Sequence, residues 1–72
     1  SIVDHETMEE LDGRLRQTTP DSPIVDYEVE LKIQGKLWQG RMVCRALWTQ
    51  DNERKYQGAI GKIVEIKKEE QE

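Results

Sequence analysis

The stretch IVDYEVELKI, residues 24–33, alternates without a break. Val25, Tyr27, Val29, Leu31 and Ile33 hold one parity, and Asp26, Glu28, Glu30 and Lys32 the other. Successive side chains of a strand point to opposite faces, so this pattern fits an extended segment with one face buried and one solvated; a helix would scatter the apolar residues around its circumference. One-sided burial is characteristic of antiparallel sheets, which predicts hairpin neighbours. Gln34-Gly35-Lys36 supplies a glycine for the first turn. The next run, residues 37–49, puts Trp38, Gly40, Met42, Cys44, Ala46 and Trp48 on one face and a mixed set, Arg41 and Arg45 included, on the other. Thr49-Gln50-Asp51-Asn52-Glu53 has the polar chemistry of a turn, and residues 55–66 read as a third strand.

Upstream the period is helical. Asp4 precedes a segment with Glu6, Glu9 and Glu10 in its first turns and Arg14 and Arg16 near its end, the order that the helix dipole favours. Met8, Leu11 and Leu15 form a narrow apolar stripe, and Val3 is placed to staple against Met8. Gly13 weakens this helix by about 1 kcal/mol relative to Ala. Residues 17–23, with Pro20 and Pro23, end it as a loop. The expected fold class is therefore α+β: an N-terminal helix followed by a three-stranded antiparallel β-meander, in one domain over residues 1–72.

Such a chain is short of core. At this length about 60% of the unfolded surface is buried, and no covalent or metal staple compensates, because Cys44 and His5 are the one cysteine and the one histidine. The three-residue helix stripe covers little of the sheet. Alternation puts Ile60 and Val64 on one side of the last strand and Ala59 and Ile63 on the other, so apolar side chains remain on both faces. A net charge of −4 argues against a nucleic-acid binder that works by bulk electrostatics. No run approaches 18 apolar residues, and no basic segment followed by an apolar one opens the chain. The expectation is a soluble, cytoplasmic chain without direct membrane contact.

A helix introduced by VDHETMEEL, a strand VDYEVELKI, a QGK turn, a long strand LWQGRMVCRALW, a QDNE turn and a last strand YQGAIGKIVEI running into KKEEQ resemble the C-terminal half of a PAS domain, including its PAC segment. In the resemblance Gln34-Gly35 stands at the first hairpin turn, Trp38 at the aromatic that follows it and Gly61 at the glycine of the last strand. Glu65-Ile66-Lys67 takes the place of the family's Asp-Ile-Thr and departs from it at the first and third positions. The family implies a partial PAS-like fold, lacking here the first two strands and the small helices that wall a ligand cavity. It implies a piece of a larger sensor protein, with residues 67–72 opening a helical linker to an output domain such as a histidine kinase or a diguanylate cyclase.

Residues that invite sharper chemistry each have a plainer explanation. His5 would be a haem ligand in some relatives, but it stands at the solvent-exposed start of the helix and reads as a surface residue. Cys44 would suggest a flavin adduct, yet light-sensing relatives carry that cysteine on a helix this chain lacks; a small buried thiol fits better. Trp38 and Trp48 share a face and could stack bases, whereas Arg41 and Arg45 lie on the other, so core or interface packing is the expectation and nucleic-acid binding is not. Asp26, Glu28 and Glu30 read as a solvated face with cross-strand partners in Arg41 and Arg45. Gly58 and Gly61 lack what a phosphate loop requires. No catalytic residue, metal site or cofactor is expected. The chain reads as a non-catalytic sensor or regulatory module, dimerising through its sheet with Trp38, Met42, Trp48, Ile60, Ile63 and Val64 as interface candidates. The alternative is a stand-alone adaptor that binds a protein partner through the same sheet.

Overall fold

The structure is a computed structural model, and it describes residues 2–68. One helix, α1 (His5–Arg16), precedes three strands, β1 (Ile24–Ile33), β2 (Lys36–Trp48) and β3 (Tyr56–Lys68). The strands form an antiparallel sheet in the order β1-β2-β3, with β2 central, as the alternation and turns predict.

Asp4 caps α1: its carboxylate accepts the Thr7 N–H at 2.7 Å, satisfying one of the amides that a helix start leaves without a partner. Leu11 and Leu15 are buried against the sheet, but Met8, assigned by spacing to the same stripe, stays 46% exposed. The helix therefore touches the sheet along its C-terminal two-thirds. Val3 joins Val29 and Leu31 in a cluster on the sheet, while the Ile2 carbonyl accepts the Lys32 N–H at 2.8 Å.

The hairpin between β1 and β2 turns on Gln34 and Gly35 alone, both at positive φ (51° and 77°), the mirror-image turn whose twist matches the flanking strands. Pairs directly opposite in the register, Val25 with Cys44, Tyr27 with Met42 and Leu31 with Trp38, place the apolar parities of both strands on one face. In the second hairpin, Asp51 organises the loop: one carboxylate oxygen accepts from the Thr49 hydroxyl at 2.7 Å and from the Glu53 and Arg54 amides at 3.1 Å.

β3 runs further than its composition suggests. Lys67 and Lys68, expected to open a helix, instead pair with Gln39 and Trp38, because β2 still offers backbone partners there and lysines are tolerated on an edge strand. The remainder of the expected linker, residues 69–72, lies outside the described residues. The register of β3 on β2 also shifts twice, skipping Gln57 and Val64. The second shift matters most, because Lys62 lies opposite Val43 and Glu65 opposite Arg41, two positions apart on β2 but three apart on β3. A strict alternation along residues 60–66 is thereby broken.

The molecule is long, 52 × 19 × 15 Å, with a radius of gyration of 14.2 Å. A compact chain of this length would measure about 11 Å. The cause is a mismatch of element lengths, since a 12-residue helix spans roughly 18 Å and a 13-residue strand roughly 43 Å. Two clusters result: Leu11, Leu15, Val25, Cys44 and Ala46 under α1, and Val3, Val29 and Leu31 towards the other end.

Candidate functional site: the sheet and its open edge

Under α1 the sheet is closed and well partnered. Trp48 meets Tyr56 edge-on with ring centroids 5.5 Å apart, and its indole N–H donates to the Thr18 hydroxyl at 3.3 Å. The guanidinium of Arg16 stacks 4.7 Å from the Tyr56 ring and that of Arg14 lies 5.1 Å from Tyr27. Burial pushes the Tyr27 and Tyr56 hydroxyls up, and the carboxylates of Glu10 and Asp12 beside them push in the same direction. Cys44 is 3% exposed, and burial pushes its thiol up, away from the thiolate that redox or adduct chemistry needs. This end is core.

The opposite end of the same face is less finished. Trp38, Met42 and Ile63 are half-buried around Val29 and Leu31, and Ile66 lies beyond them, 48% exposed. The indole nitrogen of Trp38 is buried with no hydrogen-bond partner among the described residues. α1 does not reach here; the residue from outside the sheet in this cluster is Val3.

On the outer face Arg41 lies 3.4 Å from Asp26 and 3.7 Å from Glu65, and Glu65 in turn lies 3.0 Å from Lys67. The Lys67 ammonium, ahead of Arg41, holds the Glu65 carboxyl below its usual range. Arg41, Glu65 and Lys67 with Glu28, Gln39 and Gly40 line an open hollow of about 200 Å³. Arg45 does not join them, since Ile24 is its direct neighbour on β1. Alternation marked Asp26 and Arg41, but it missed Glu65 and Lys67, which reach this face only because of the shift at Val64. Further along, Ile24, Val43, Arg45, Ile60, Gly61 and Lys62 line a second, more apolar groove.

The six interface candidates therefore do not form one patch. Trp38, Met42, Trp48 and Ile63 lie on the helix side, with Trp48 already packed, whereas Ile60, opposite Arg45, lies on the outer face. Val64 is the skipped residue. Alternation already separates Ile60 from Ile63; what it does not carry is the register shift that takes Val64 out of the ladder. What unites Ile60, Ile63 and Val64 is the strand they share: β3 is an edge strand of 13 residues, with Ile60 66%, Val64 40% and Ile66 48% exposed. Natural edges are usually shortened, charged, bulged or covered; β3 carries Lys62, Lys67, Lys68 and two register shifts, yet keeps these apolar side chains exposed.

His5 is on the surface, its side chain 86% exposed and 2.8 Å from Glu9. Among the described residues no group of three His, Cys, Asp or Glu side chains could hold a metal, and no helix is long and apolar enough to cross a membrane. No family model, curated protein or solved structure matches the chain.

Proposed function

We propose that the chain is a non-catalytic regulatory module of the PAS type, working in the cytoplasm. It responds to a small molecule or a protein contact and passes the change through the C-terminal end of β3 to an output domain such as a histidine kinase or a diguanylate cyclase. The observation that carries this reading is the unfinished end of the sheet: Trp38, Ile63 and Ile66 share one face beyond α1, Met42 bridges from there to the cluster under the helix, and β3 ends at Lys68, opposite Trp38, at that same end. A contact made on these side chains bears directly on the segment that follows Lys68. The order of helix, QGK hairpin and long glycine-containing last strand, on which the resemblance rests, supports the family reading.

The test uses the reading frame on either side of these residues. Continuation into an output domain, with stimulus-dependent output that Ile66→Asp abolishes while circular dichroism stays unchanged, supports the proposal. Output that responds normally in that variant refutes it. The free edge of β3 favours a second reading, an adaptor that binds a partner by strand addition; a reading frame that starts and stops at these ends would support it instead.

A further inference from the structure

We propose that two copies of this chain pair through the open edge of β3, antiparallel, about a twofold axis between Ile63 and Val64, to make one continuous six-stranded sheet. This deepens the regulatory reading above by naming the partner of the sheet, and its test is independent of any output domain.

The shift at Val64 makes this pairing geometrically consistent. Residues directly opposite in an antiparallel pair must share a face. In an unbroken strand Lys62 and Glu65 would point to opposite faces; here both lie on the outer face, across from Val43 and Arg41. A twofold axis between Ile63 and Val64 sets each Lys62 opposite Glu65 of the other copy, so the seam gains two ion pairs. Lys62 has no ion pair among the described residues, whereas Glu65 already gathers Arg41 and Lys67 on one side and keeps 42% of its side chain exposed. The same axis sets Ile66, half-exposed, opposite Gly61, which has no side chain of its own to obstruct it; both lie on the helix face, across from Gly40 and Cys44.

On either side of the axis faces agree from the Lys62–Glu65 pair out to the Ala59–Lys68 pair, the full stretch that described residues on both copies can pair; at the axis Ile63 meets Val64, the residue that the β2 ladder skips. A twofold centred on Lys62 would oppose like charges, and one centred on Ile66 would leave a ladder from Val64 to Lys68 only. α1 packs on β1 and β2 and meets β3 at Tyr56, outside the seam, so nothing described blocks the edge.

Light scattering of the chain across a concentration series tests this, with a mass of twice 8.5 kDa expected. Lys62→Glu and Glu65→Lys each replace two attractive contacts by repulsive ones and should weaken the dimer by about tenfold or more, while the double exchange restores it. A monomer at every concentration overturns the proposal, as does a dimer indifferent to both single reversals or a double exchange that fails to restore it. Should a reversal unfold the chain by circular dichroism, cross-linking decides: Lys62→Cys chains mixed with Glu65→Cys chains should oxidise to a mixed disulfide in preference to either homodisulfide. Equal yields of all three refute the register.

Discussion

Gly40→Ala is the sharpest probe of the packing, because it adds one methyl group at a place where the sheet has no room. A Cβ at Gly40 would lie 2.6 Å from Cδ1 and 3.1 Å from Cγ of Leu31, and 3.5 Å from the Glu65 carbonyl oxygen. Leu31 is fully buried, at 0% exposure, in the cluster with Val3, Val29 and Trp38, so its end cannot swing into solvent to make way. Overpacking of this kind costs about 1–3 kcal/mol, and removing a glycine from the unfolded chain returns about 0.4–1 kcal/mol, which leaves a net loss of roughly 1–2 kcal/mol. For a domain of this size that lowers Tm by roughly 4–16 °C. Leu31→Ala should itself destabilise by about 2–5 kcal/mol through the cavity it leaves, but in the double variant the new methyl occupies part of that cavity. Urea melts of the wild type, both single variants and the double variant close the cycle, with the double variant more stable than additivity predicts by about 1 kcal/mol. Gly40→Ala at or above wild-type stability, or additivity within about 0.5 kcal/mol, would refute the argument.

Gly13→Ala should have the opposite sign, since nothing lies within 4 Å of the added methyl; thermal melts should show a gain of about 0.5–1 kcal/mol. Cys44, buried and with its thiol pushed up, should react with a thiol reagent about 100-fold or more slower in the native chain than in urea, and equal rates would show that the cluster under α1 is open. The Thr7 amide holds the Asp4 carboxyl, and the Thr49 hydroxyl that of Asp51, below the usual range. Stability should therefore be fully present above the unfolded carboxyl value of about 3.9 and decline as pH falls through it towards the lower folded values. Asp51→Asn keeps an acceptor in the loop and should flatten part of that acid limb in denaturant midpoints measured from neutral pH downward; an unchanged limb counts against Asp51 as its source.

Local rules made several features readable. The alternation of residues 24–33 required β1, and Gln34-Gly35 required a tight turn that only residues tolerant of positive φ make. Asp4 announced the start of α1, and parity put Cys44, Trp38 and Trp48 on the face they occupy. The errors cluster where a non-local partner sets the conformation. Met8 has the right spacing for the buried stripe, yet whether a helix buries its first turn depends on where it lands, and α1 lands too far along the sheet. Lys67 and Lys68 look helical locally, but the backbone of β2 holds them in a strand.

The candidate site was readable in part for the same reason. Ile60, Ile63 and Val64 were singled out as apolar residues in need of cover, and the edge strand leaves Ile60 and Val64 exposed. Their assignment to faces failed at the skipped residue, because an alternation counted along one strand assumes a partner strand that advances in step. The sequence by itself determined which segments are extended, where they turn and which parity of each is apolar, since steric limits on φ and the period of a strand are properties of neighbouring residues. The tertiary structure decided the register of β3 and the landing of α1, because those depend on backbone pairs and buried contacts between residues far apart in the chain.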